Sequence, residues 1–241
     1  MWRILLLFLF FFELNVQAQN IENRLETIEQ QEDKTKTIEL LSQLLNNEVL
    51  SDAQRIEALL LKSRAYLTLS ELDNALIAIH QAGDLAVQSQ LSLQQAQVDK
   101  LMGIVLYFQG KYEQALHFYH ASLKYYQKQS FSSDIAIEQA NLLNNIALVQ
   151  TSQGDALAAL KTYQKIEPLY QRYGDDVDKI DVRYNLAVLY ISLRRFDIAI
   201  SMLKEVIDGR QLADDDYGVA KASSDLGVSY KHTGQYKQAE K

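Results

Sequence analysis

The chain has 241 residues, 48% of them apolar, with nine glycines, one proline and no cysteine. That is enough apolar side chain for a sizeable core and too little glycine and proline for a β-rich or disordered protein. The net charge of −7 comes from interspersed acids and bases without a Lys/Arg block, which excludes a nucleic-acid-binding stripe, and the missing cysteines exclude a disulfide framework or a lipid-modified cysteine.

Residues 1–18 read as a signal peptide. Trp2-Arg3 gives a short positive start, Ile4 to Phe12 is unbroken apolar sequence, and Val16-Gln17-Ala18 offers a small-residue cleavage site. The apolar run is far shorter than the roughly 20 residues a membrane-crossing helix needs. Export to a bacterial periplasm is the expectation, since no Asn-x-Ser/Thr sequon occurs. Left uncleaved, the same segment would be a membrane tether.

Residues 19–50 carry two short apolar faces, Ile21, Leu25 and Ile28, then Ile38, Leu41 and Leu45. They predict a degenerate capping hairpin, with Thr35 and Asn23 in its crossing positions. Ser51 with Gln54 forms a capping box that opens the main array, 51–241.

That array is a repeat. Ala75, Ala115, Ala159, Ala199 and Ala239 are spaced by 40, 44, 40 and 40 residues. Twelve residues before each stands a small side chain: Ser63, Gly103, Ala147, Ala187 or Gly227. Five before each stands Ser70, Gly110, Gly154, Arg194 or Gly234, a helix stop in the three glycine cases. Two helices approach to about 8–10 Å only where the side chains at their crossing are small, and one such hairpin cannot bury its apolar face alone.

The segments MGIVLYFQGKYEQAL, LAVLYISLRRFDIAI and LGVSYKHTGQYKQAE carry a pattern that resembles the tetratricopeptide repeat, from about Ile56 to the end. Five of the nine glycines fall on the two positions where that family favours glycine. The resemblance implies an all-α, right-handed superhelical solenoid of antiparallel helix pairs, at about 56–89, 96–129, 140–173, 180–213 and an incomplete 220–241. The repeat exceeds the usual length of about 34 residues, so the helices are expected to be a turn or two longer. The family's tryptophan and proline are absent from their positions. HEAT and armadillo repeats share the length but lack the small–turn–small pattern.

Two polar breaks interrupt the helical periodicity, Gln129 to Asp134 and Arg172 to Asp178. The acidic runs at the second break and at Asp214-Asp215-Asp216 suit helix N-termini and lack calcium-loop spacing. The final hairpin stops two residues after Ala239, which suggests a fragment of a longer protein or a partner covering Leu226, Val228 and Tyr230.

No glycine-rich phosphate loop, cysteine nucleophile or Gly-x-Ser-x-Gly elbow occurs. His117, His120 and Glu113 share a helix face but lack a further ligand at zinc-site spacing. The expectation is therefore no enzyme, no metal and no cofactor. Binding is the better prospect. The resemblance implies that the first helix of each pair lines a concave groove, with Arg64, Lys100, Tyr107, Asn144, Asn145, Tyr184, Asn185, Lys221 and Lys231 facing it. Asn145 and Asn185 are equivalent, fourteen residues before their alanines, with Asp225 next in the series. In long-repeat relatives such an asparagine grips an extended peptide, because an amide donates and accepts together. The other reading is that each amide bonds to a neighbouring helix.

Two functions remain open. One is an exported, non-catalytic scaffold holding a peptide or protein partner. The alternative, similar to the exported sensor regions of GGDEF diguanylate cyclases or histidine kinases, is the periplasmic sensor of a membrane-bound signalling enzyme with its catalytic domain beyond residue 241.

Overall fold

The computed structural model describes residues 19–240; the expected signal peptide lies outside them. Helix α1 covers 19–29. It is followed by α2 (Lys34–Asn47), α3 (Asp52–Thr68), α4 (Leu72–Gln88), α5 (Ser92–Phe108) and α6 (Tyr112–Tyr126). Next come α7 (Ser133–Ser152), α8 (Ala156–Tyr173), α9 (Asp176–Ser192), α10 (Phe196–Leu212), α11 (Asp216–His232) and the single turn α12 (Tyr236–Ala239). Among the described residues there is no strand, and no helix is long and apolar enough to cross a membrane. The described residues divide into two compact units, which part between Tyr125 and Tyr126.

The alanine register sets the helix ends. All five first helices stop seven residues before their alanine, and all five second helices begin three residues before it. Between them the chain reverses through one left-handed residue each time: Ser70, Gly110, Gly154, Arg194 and Gly234, with φ from 57° to 79°. The geometry is that of a Schellman turn. The N–H of the following residue reaches back to the last helical turn, as in Glu71 to Tyr66 O at 2.9 Å and Arg195 to Tyr190 O at 2.8 Å. Two further left-handed residues, Gln90 and Asp214, turn the chain between pairs.

Side-chain caps start many of the helices. Ser51 and Gln54 exchange bonds of 3.3 and 3.1 Å, as the capping box predicts. Asp175 and Asp178 do the same at 2.8 and 3.2 Å, so the acidic break after Arg172 is a helix N-terminus. Pro168 lies inside α8, where it removes one rung of the helical ladder.

Within the first unit, α3 packs on α4 and α4 on α5. Ala75 and Ala115 are fully buried, as is Ser63. Gly103 is needed for its lack of a side chain: a Cβ there would stand 2.5 Å from the Tyr119 ring. Ser122 donates to Ala96 O at 2.7 Å, tying α6 to α5. The opening hairpin departs from expectation. Thr35 and Asn23 are exposed, whereas Thr37 and Leu25 are buried and supply the crossing. Residues 30–33 join α1 to α2 through an Asp33 cap rather than a left-handed turn, and this shifts the register by two.

Within the second unit, α7 to α11 bury one continuous core that includes Ala147, Ala159, Tyr163, Ala187, Leu203 and Ala222, and Ala199 is fully buried as well. The pattern of buried and half-buried residues over 141–150 recurs unchanged over 181–190, forty residues later.

Candidate functional site

The first helices of the second unit build the candidate site. A cavity of about 290 Å³ is lined by Asn144 of α7, by Asp181, Tyr184 and Asn185 of α9, and by Arg210 at the end of α10. Asp215, Tyr217, Gly218 and Lys221, from the cap and first turns of α11, complete it.

Its polar groups form steps that climb from one repeat to the next. Asn185 Nδ2–H donates to Asn144 Oδ1 at 3.1 Å, and the Tyr184 hydroxyl donates to Asp225 at 2.6 Å. Both partners are 41 residues apart, so each bond joins a position in one first helix to the adjacent position in the next. These bonds hold the side chains against neighbouring helices without using their whole capacity. Asn144 keeps both amide hydrogens and Asn185 keeps its oxygen and one hydrogen, because an amide offers two donors and two lone pairs.

Arg210 is the electrostatic anchor. Its side chain is only 16% exposed, and it pairs with Asp181 and, at 2.8 Å, with Asp215. Asp215 also accepts the Gly218 N–H at 2.8 Å, so one carboxylate caps α11 and holds the guanidinium. Half-burial, then the bond to Asp225, push the Tyr184 phenol above its ordinary range and keep it a neutral donor. Lys221 is exposed, with its ammonium 4.8 Å from the centre of the Tyr184 ring.

Of the sequence-predicted groove residues, Asn144, Tyr184, Asn185 and Lys221 come together here. Asn145 sits one position further along α7, half-buried and outside the cavity lining. Tyr184 is half-buried, and so is Tyr107. The remaining candidates belong to the first unit. Arg64 pairs with Glu29 at 2.8 Å and lines a separate hollow of about 180 Å³. Lys100 and Tyr107 lie on α5 and do not line that hollow, and the Tyr107 ring packs edge-on to Phe108 with centroids 5.5 Å apart. Lys231 is exposed at the end of α11. Sequence reasoning missed Asp181, Arg210, Asp215, Tyr217 and Gly218; the cap pattern of Asp215 before Gly218 was the one available signal.

Among the described residues no group of three His, Asp or Glu side chains could hold a metal ion.

Comparison with known proteins agrees with this architecture. Residues 138–212, which run from α7 to the end of α10, match the tetratricopeptide repeat family model. No curated protein matches the sequence. Among solved structures, a Rap protein complexed with competence and sporulation factor superposes with a TM-score of 0.69 at 14% identity, over 95% of this chain and 63% of that one. The apo form of RapI gives 0.60 at 13% identity, over 85% and 56%. A signal transduction ATPase with a tetratricopeptide repeat sensor, from Pyrococcus horikoshii, gives 0.69 at 14%, over 92% and 34%. The chain thus spans little more than half the length of RapI and a third of the ATPase. The chain is an all-α protein of tetratricopeptide-like helix pairs, with the family match itself on residues 138–212.

Proposed function

We propose that this chain is a non-catalytic scaffold that holds an extended peptide, or an extended segment of a protein, across α7, α9 and α11. The observation that carries the reading is the amide pair Asn144–Asn185. It faces a cavity of about 290 Å³ and keeps donors and an acceptor for a peptide main chain. Arg210 of α10, paired with Asp181 of α9 and Asp215 at the cap of α11, ties these three helices together, so that end of the cavity is formed before a ligand arrives. The likeness to a Rap protein in complex with competence and sporulation factor supports the fold's suitability for this role.

The test is selection of peptides from a random-sequence display library on the full chain, followed by affinity measurement with Asn185→Ala. Enriched peptides should bind the parent and lose about 5–10-fold in the variant, the worth of one or two half-buried hydrogen bonds. Enrichment no better than on an unrelated helical scaffold, or affinities untouched by the change, would refute the proposal.

A second reading is favoured by the neighbour whose repeats serve as the sensor of a signal transduction ATPase. Here the same face would be the periplasmic input region of a larger signalling enzyme, exported through residues 1–18. A fusion of residues 1–60 to alkaline phosphatase tests the export step: phosphatase activity in intact bacteria supports it, and an inactive fusion removes it.

A further inference from the structure

A second kind of hollow forms between successive second helices, floored by the first helix between them. In the first unit it measures about 580 Å³, with α2 and α4 as walls and α3 as floor. In the second unit it measures about 370 Å³, with α8 and α10 around α9. The two share repeat positions: Ser42 matches Gln164, Leu45 matches Glu167, Leu59 matches Arg183 and Lys62 matches Leu186.

Their charges are opposite. In the second unit Arg183 pairs with Glu205, and Glu167 adds another acid to the wall. In the first unit the counterparts of those two acids are Gln81 and Leu45. The walls there carry two cations, Arg55 and Lys62, against one carboxylate, the exposed Asp84. Among the described residues neither Lys62 nor Asp84 forms an ion pair, and Arg55 donates to the main-chain oxygen of Leu45 at 3.3 Å. The Lys62 ammonium stands 5.9 Å from the centre of the Tyr66 ring, which offsets only part of the cost of half-burying a cation without a carboxylate, and burial pushes Lys62 below its ordinary range. The hollow therefore holds one excess positive charge in a chain whose net charge is −7. Leu45, Leu59 and Leu85 supply its apolar lining.

We propose that this hollow binds a small organic monoanion, a carboxylate on a branched apolar body. Lys62 and Arg55 hold the carboxylate, and Leu45, Leu59 and Leu85 receive the body. A single excess charge fits a monoanion better than a phosphate dianion, and the volume falls within the range of small-molecule sites. The site shares no residue with the α7–α9–α11 face, so the two proposals stand or fall separately.

The test is saturation-transfer NMR on the full chain with 4-methylpentanoate and its neutral amide 4-methylpentanamide as observed probes, and with inorganic phosphate, which has no carbon-bound protons, as a competitor that displaces the carboxylate. The carboxylate should bind in the millimolar range expected of so small a ligand, with the amide and phosphate about tenfold weaker. Lys62→Gln should weaken the carboxylate about tenfold and leave the helical circular-dichroism spectrum unchanged. Gln81→Glu, an exposed change that restores the acid of the other hollow, should weaken it similarly. Equal binding of acid and amide, phosphate binding as tight as the carboxylate, no effect of either substitution, or no saturation transfer at about 10 mM carboxylate would each overturn the proposal.

Discussion

Gly103 stands where α5 crosses Tyr119 of α6, and replacing it by alanine sets helix propensity against overpacking. It lies inside the 17-residue helix α5, where alanine is favoured over glycine by about 1 kcal/mol. At Gly103 the new methyl would stand 2.5 Å from Tyr119 Cε1 and 2.6 Å from Cδ1, where ordinary contact begins at 3.4 Å. The ring, only 2% exposed, would have to retreat by almost 1 Å into a filled core. Overpacking of that kind costs about 1–3 kcal/mol, so the net loss for Gly103→Ala is roughly 0–2 kcal/mol. Urea unfolding followed by circular dichroism reads the change as a midpoint shift at constant slope. A Gly103→Ala variant about 1 kcal/mol more stable than the parent, the whole helix-propensity gain, would show that Tyr119 does not wedge against α5, and the crossing argument would fail with it.

Other expectations follow from the same geometry. Ala115→Leu should destabilise by roughly 1–3 kcal/mol through overpacking at a fully buried crossing, and a tolerated leucine would show the repeat register to be wrong. Ser70→Gly should raise stability by about 1 kcal/mol, since serine holds φ at 61° in a turn that glycine enters freely, and Arg194→Gly should move the same way; a lower urea midpoint for both would contradict this. Asn145→Ala with Asn185→Ala should leave the thermal transition nearly unchanged while weakening peptide capture, because one neutral bond is lost, whereas a large drop in Tm would make the asparagines structural. Burial holds the Asp99 carboxyl above its ordinary value of 3.8 despite the bond from Gln95. Its stabilising share is therefore full below about pH 4 and is lost as pH rises through the folded value. Asp99→Asn should be more stable than the parent at neutral pH and equal to it in acid, and a constant difference across pH would refute the assignment.

Much of the architecture was legible because the constraints are steric. Small residues twelve apart mark a helix crossing whatever surrounds them, and the alanine register gave every hairpin turn from Ser70 onward. The opening hairpin was less legible: the Asp33-capped link moves the crossing to Thr37, and no glycine signals the change. The left-handed residues at Ser70 and Arg194 also carry no glycine. There the paired return bonds of the turn outweigh the residue's own preference.

The site divides in a similar way. Asn144, Tyr184, Asn185 and Lys221 were visible because they stand at recurring positions on first helices. The bonds Asn185–Asn144 and Tyr184–Asp225 were not, since an offset of 41 depends on how adjacent helices are staggered, and the repeat length alone does not specify it. Arg210, Asp181 and Asp215 come from three different repeat positions, so no periodicity links them until the chain is folded.

Amide chemical-shift mapping of a selected peptide on the full, isotope-labelled chain probes the binding face most directly. The proposed contacts predict the largest changes at Asn144, Asp181, Tyr184, Asn185 and Lys221, with little change at Leu160 and Ser201 in the hollow between α8 and α10. A footprint centred on Leu160 and Ser201 would contradict them.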